Sequence, residues 1–78
     1  MHTLPTRYQT YVIVPLASAI PTGYAASVFI TGPTGKQRAF GVLGYFASER
    51  AACQFAVSYA KAHIDGTALP TPPLVPLG

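Results

Sequence analysis

The sequence predicts an α+β domain in β-β-β-α order, a three-stranded antiparallel sheet with one amphipathic C-terminal helix packed on one face. Residues 7–16, 24–31 and 37–45 are rich in aromatic and β-branched side chains, and the last two runs are separated by Gly32-Pro33-Thr34-Gly35-Lys36. Such runs bounded by Gly and Pro read as strands. Residues 48–65 follow a helical period instead, and beyond them Pro70, Pro72, Pro73 and Pro76 preclude regular structure. The expected organisation is a flexible N-terminus at residues 1–6, a single domain at residues 7–66 and a mobile Pro-rich tail at residues 67–78.

Pro15 near the end of the first strand cannot donate a ladder hydrogen bond, so that end is expected at a sheet edge or outside the sheet. Residues 17–23 read as a loop containing Pro21-Thr22-Gly23. The second and third strands then form a β-hairpin across residues 32–36. In the second strand Tyr24, Ala26, Val28 and Ile30 share the more apolar face, and Ala25, Ser27, Phe29 and Thr31 share the other. In the third, Gln37, Ala39, Gly41, Leu43 and Tyr45 oppose Arg38, Phe40, Val42, Gly44 and Phe46, and both sets carry bulky apolar groups.

The helix has its own start and stop signals. Ser48 is a natural N-cap, Glu49 suits the positive end of the helix dipole and Gly66 suits the C′ position. Arg50, Gln54, Ser58, Lys61 and Asp65 fall in one polar stripe, while Ala52, Phe55, Ala56, Tyr59, Ala60, His63 and Ile64 fall on the opposite side. The alanines allow close approach to a sheet, with Phe55 and Tyr59 supplying most of the volume.

Half of the 78 residues are hydrophobic and 9% are charged, a globular composition. The folded part, about 60 residues, is near the lower limit for an unassisted core. A single cysteine provides no intramolecular disulfide, and without a metal cluster self-association is the remaining way to reinforce the fold. The net charge of +3 comes from scattered residues. No charge separates Arg7 from Lys36, and Ala17-Ser18-Ala19 loosely imitates a signal-peptide cleavage site. The preceding apolar run is short and holds Pro15, so neither a signal peptide nor a membrane helix is expected.

Several chemistries are excluded by spacing. Glu49 and Asp65, the only acids, lie on one helix about 24 Å apart, too far for paired acid/base work within one chain. Cys53 and His63 are about 15 Å apart along the same axis and form no dyad. With His2 they also lack metal-ligand spacing, so no metal, cofactor or catalytic residue is expected. The 32–36 segment ends like a phosphate-binding loop, but Ile30 stands where that motif needs Gly, Gln37 where it needs Ser or Thr, and a strand follows instead of a helix. The two P-x-x-P spacings at residues 70–76 read as a solvated tail.

The β-β-β-α order resembles the C-terminal part of a double-stranded-RNA-binding domain. That family places lysines at the start of its last helix, where this chain has Ser48-Glu49-Arg50-Ala51-Ala52. Its Gly-Pro loop precedes the second strand, whereas Gly32-Pro33 precedes the third here, and its initial helix has no counterpart. The closer resemblance is to small bacterial proteins of unknown function with the same plan. It is carried by Phe46 before Ser48-Glu49, the alanines that follow, and Ala62-His63-Ile64-Asp65-Gly66, and covers residues 8–66. That resemblance implies a fold and a cytoplasmic bacterial setting, with no activity to transfer.

A helix covers only one face of a sheet, so an apolar face remains for a partner. The expected function is a non-enzymatic protein-interaction module, self-associating as a homodimer or binding another protein through the uncovered face or an edge strand. Tyr11, Ile13, Phe29 and Phe40 are the candidate interface residues, with the alternate residues of the strands taking their place if the register is opposite. The alternative is weak nucleic-acid binding by the hairpin, with Lys36 and Arg38 beside aromatic rings as candidate contacts.

Overall fold

A computed structural model of the chain describes residues 5–71. The elements run β1 (Thr6–Tyr8), β2 (Tyr11–Ile20), β3 (Gly23–Thr31), β4 (Gln37–Phe46) and α1 (Glu49–Asp65), and the strands form one antiparallel sheet in the order β1-β2-β3-β4. The α+β class and the C-terminal helix match expectation, but the sheet has four strands where three were expected. The expected N-terminal and C-terminal segments lie partly outside the described residues; within them Thr6 opens β1, and residues 67–71 form no helix or strand.

The extra strand comes from a turn inside the first apolar run. Thr6, Arg7 and Tyr8 fold back against Ile13, Val12 and Tyr11, leaving only Gln9 and Thr10 to reverse the chain. Gln9 takes a left-handed conformation, φ 54°, which a residue other than Gly, Asn or Asp seldom adopts. A tertiary clamp holds it there: the Tyr8 hydroxyl donates to Asp65 Oδ2 at 2.6 Å, and Gln9 Nε2 donates to Asp65 Oδ1 at 3.0 Å. These bonds to a charged acceptor tie the turn to the end of α1.

The expected loop at residues 17–23 is also shorter. β2 continues to Ile20 and pairs with β3 down to Ile20↔Gly23, so only Pro21 and Thr22 make the turn. Pro15 lies within β2 opposite Val28, past the last residue paired with β1, on an edge that no described strand pairs, as a residue without an N–H needs. Between Ala26↔Gly44 and Val28↔Phe40 the register slips, so β4 carries a bulge at residues 41–43. Strict alternation fails there: Leu43 packs against the core beside Phe40, while Val42 is 58% exposed.

α1 begins and ends where the sequence places it. Ser48 Oγ accepts from the Ala51 amide at 3.1 Å, and Gly66, at φ 71°, reverses the chain so that the Gly66 and Thr67 amides donate to the His63 and Ala62 carbonyls. Ala52, Ala56 and Ala60, one turn apart, are all fully buried. They seat on Ile13, Ala17, Ala26, Val28 and Ile30, in two adjoining clusters. Of the nine buried hydrophobic residues among those described, six are alanine, so the core is thin.

Gly23 is where backbone freedom decides the geometry. Its φ is 148°, and a Cβ built there would lie 2.4 Å from the Phe46 carbonyl oxygen, which the β3–β4 pairing fixes in place. Gly23→Ala is therefore expected to destabilise the fold by about 2 kcal/mol, read as a lower midpoint in urea denaturation.

Candidate functional site

β2 and β3 present their two faces very differently. Pairing of Ile13 with Ile30 and of Ala17 with Ala26 puts these residues and Val28 beneath α1. The same register pairs Val12 with Thr31, Val14 with Phe29 and Leu16 with Ser27 on the opposite side, which α1 does not cover. Val12, Val14, Leu16 and Phe29 are half-buried there, and Tyr45 of β4, paired with Ala25, adds an aromatic ring that is 47% exposed. No residue of β2 or β3 is charged, and on this face the side chains of β4 are uncharged too; Arg7 of β1, paired with Val12, stands at the margin.

Of the four candidate interface residues, only Phe29 belongs to this open face. Ile13 is 0% exposed under α1, Tyr11 packs at the edge of the same core cluster, and Phe40 lies against α1, its ring 5.8 Å from Tyr59 and 5.0 Å from His63. Of the two registers left open, the tight Pro21-Thr22 turn sets the one that places Tyr11 and Ile13 beneath α1 and their alternates Val12 and Val14 beside Phe29. Leu16 continues the row of Val12 and Val14. Only knowledge of that two-residue turn would have carried the register from β3 to β2.

A second feature lies at the other end of the helix side. The β3–β4 turn, closed by Gly32 N–H to the Lys36 carbonyl at 2.8 Å and Gly35 N–H to the Gly32 carbonyl at 3.0 Å, stands opposite the last turn of α1. Between them is a cleft of about 520 Å³. Lys36 and Arg38, the candidate nucleic-acid contacts, both line it, together with Tyr11 and His63.

The groups with catalytic potential stay apart. Cys53 is half-buried on α1, and burial first, then the Glu49 carboxylate one turn earlier, pushes its thiol up, away from the thiolate that a nucleophile needs. Among the described residues no three His, Cys, Asp or Glu side chains come together as a metal site, and no helix is long and apolar enough to cross a membrane.

Asp65, on the polar stripe of α1, is exposed, but its carboxylate is not left to solvent alone. It receives Tyr8 and Gln9, while Lys61 Nζ sits 5.3 Å from the centre of the Tyr8 ring. Comparison with known proteins finds no matching family, no similar curated protein and no solved structure of similar fold.

The bond to Asp65, then desolvation and the carboxylate's charge, raise the Tyr8 pKa above its ordinary 10.0. A raised folded-state pKa means stability that is complete below the unfolded value and lost as pH rises through the folded one. Thermal melts from pH 9 to 11.5 are expected to show a steeper alkaline loss of Tm in the unsubstituted chain than in Tyr8→Phe, which lacks the titrating hydroxyl.

Proposed function

We propose that this chain is a small non-enzymatic protein-interaction module that self-associates through the open face of its sheet. The observation that carries the reading is the uncharged apolar surface of Val12, Val14, Leu16 and Phe29 on the side α1 leaves bare. A contiguous apolar face of this kind is a usual mark of a protein contact. The thin, alanine-rich core supports a second copy as the occupant, because a domain this small gains the burial it lacks by pairing its bare face with itself. The setting proposed is the bacterial cytoplasm, on the resemblance of residues 8–66 and the lone Cys53 thiol.

The size of the face places the contact in a class. Three long strands spaced about 4.8 Å apart and rising about 3.3 Å per residue present roughly 14 by 33 Å, so two copies bury on the order of 1,000 Å². That is near the lower bound for a specific interface, the range of weak and transient contacts, and a dissociation constant on the order of micromolar is proposed for it. The edge of β2 at residues 14–20, which no described strand pairs, offers a further contact by strand addition.

Sedimentation velocity tests the proposal. The unsubstituted chain is expected to be mostly dimeric at about 100 µM and to dissociate on dilution through the micromolar range. Val14→Lys, which sets a charge in the middle of the face, is expected to remain monomeric at the same concentration with its circular dichroism spectrum intact. A chain that stays monomeric throughout removes the proposal, and a dimer indifferent to Val14→Lys moves the contact away from this face.

A further inference from the structure

The cleft between the β3–β4 turn and the end of α1 is independent of the open face and has the features of a small-molecule site. Its volume, about 520 Å³, falls within the roughly 300–1,000 Å³ typical of such sites. Its wall is apolar, built from Ile30, Ile64 and the Tyr11 ring. Two cations, Lys36 and Arg38, and the His63 imidazole stand around that wall, and among the described residues no carboxylate lines it. Asp65, the acid at this end of the helix, is engaged by Tyr8 and Gln9.

The cationic groups are positioned by the fold. Arg38 pairs with Ile30, which places it on the helix side of the sheet, and its guanidinium carbon lies 5.7 Å from the centre of the Phe40 ring. The same ring meets His63 edge-on at 5.0 Å, so Phe40 supports both Arg38 and His63. Lys36 is mounted on a turn closed by two backbone hydrogen bonds. The negative end of α1 works against an anion here, but its His63 and Ala62 carbonyls already accept from the Gly66 and Thr67 amides, and two full charges outweigh the partial one.

We propose that this cleft binds a small organic anion, a carboxylate or phosphate monoester carried on a flat apolar body. Arg38 and Lys36 take the anionic group, and Tyr11 with Ile30 and Ile64 takes the body. A nucleic-acid strand fits less well, because the other cations do not continue a track from the cleft. Arg50 and Lys61 belong to the outer stripe of α1, and Arg7 belongs to β1 at the margin of the open face.

The test is a nuclear magnetic resonance titration of the ¹⁵N-labelled full chain with benzoate, phenyl phosphate, inorganic phosphate, benzyl alcohol and a thymidine octanucleotide. The result expected is saturable shifts of the Tyr11, Gly32, Arg38 and His63 amides with benzoate or phenyl phosphate, at a dissociation constant of roughly 1 mM. Whichever of the two binds tighter identifies the anionic group. Benzyl alcohol and inorganic phosphate are expected to bind at least about tenfold more weakly, and Lys36→Gln with Arg38→Gln to weaken the aromatic anion by a similar factor. Benzyl alcohol as tight as benzoate, inorganic phosphate as tight as phenyl phosphate, an octanucleotide tighter than either aromatic anion, or no saturable shift each overturns the proposal. These comparisons on the unsubstituted chain stand whether or not the double variant folds.

Discussion

Ala52, Ala56 and Ala60 are each fully buried, one helical turn apart, against Ile13, Ala17, Ala26, Val28 and Ile30. A methyl group is all that separates the helix backbone from the sheet along this seam, so α1 can lie close over β2 and β3. The price of close approach is a core with little volume: Ile13 and Val28 are the largest fully buried side chains. Everything else in the fold either braces this seam from the flanks or is left uncovered by it.

Bracing comes from opposite sides by different chemistry. Toward β4, aromatic rings run in series from Phe46 to Phe55 at 5.1 Å, to Tyr59 at 6.3 Å, to Phe40 at 5.8 Å and to His63 at 5.0 Å. These contacts bring the large side chains that the alanine seam excludes to the edge of the helix, where they fasten β4 despite its bulge. Toward β1, the Asp65 carboxylate gathers Tyr8 and Gln9 while Lys61 covers the Tyr8 ring. Phe40 and Asp65 together shape the end of the molecule where the cationic cleft opens, one by supporting Arg38 and His63, the other by keeping its negative charge on the β1 side.

Legibility in the sequence followed how local each signal was. α1 was readable to its caps because Ser48, Glu49 and Gly66 act within one turn of the helix ends, and its alanine side because the helical period is internal to the segment. The apolar side of β3, with Val28 and Ile30, was readable for the same reason. β1 was not, because the Gln9-Thr10 turn has no Gly, Asn or Pro and is held by an acid 56 residues away in sequence. Which alternating set of β2, Tyr11 and Ile13 or Val12 and Val14, shares the face of Phe29 was not readable, because parity passes between strands only through the turn that joins them, and Pro21-Thr22 lies in a segment that reads as a longer loop. Lys36 and Arg38 were identifiable as neighbours, but the cleft they share with His63 and Tyr11 depends on tertiary packing.

The resulting molecule has one side of its sheet committed to a close-fitting helix and the other composed of uncharged apolar residues. The proposed self-association belongs to the second side, and the small cationic cleft opens at one end of the first. Thiol labelling of Val14→Cys in a Cys53→Ser background tests the central assignment most directly, because Val14 is half-buried in the isolated fold and lies opposite Phe29 in the middle of the open face. The account predicts rapid reaction with a maleimide at nanomolar protein and progressive protection as concentration rises through the micromolar range. Protection at every concentration would show that the chain's own structure covers this face, and labelling that is rapid and independent of concentration would show that no second copy does.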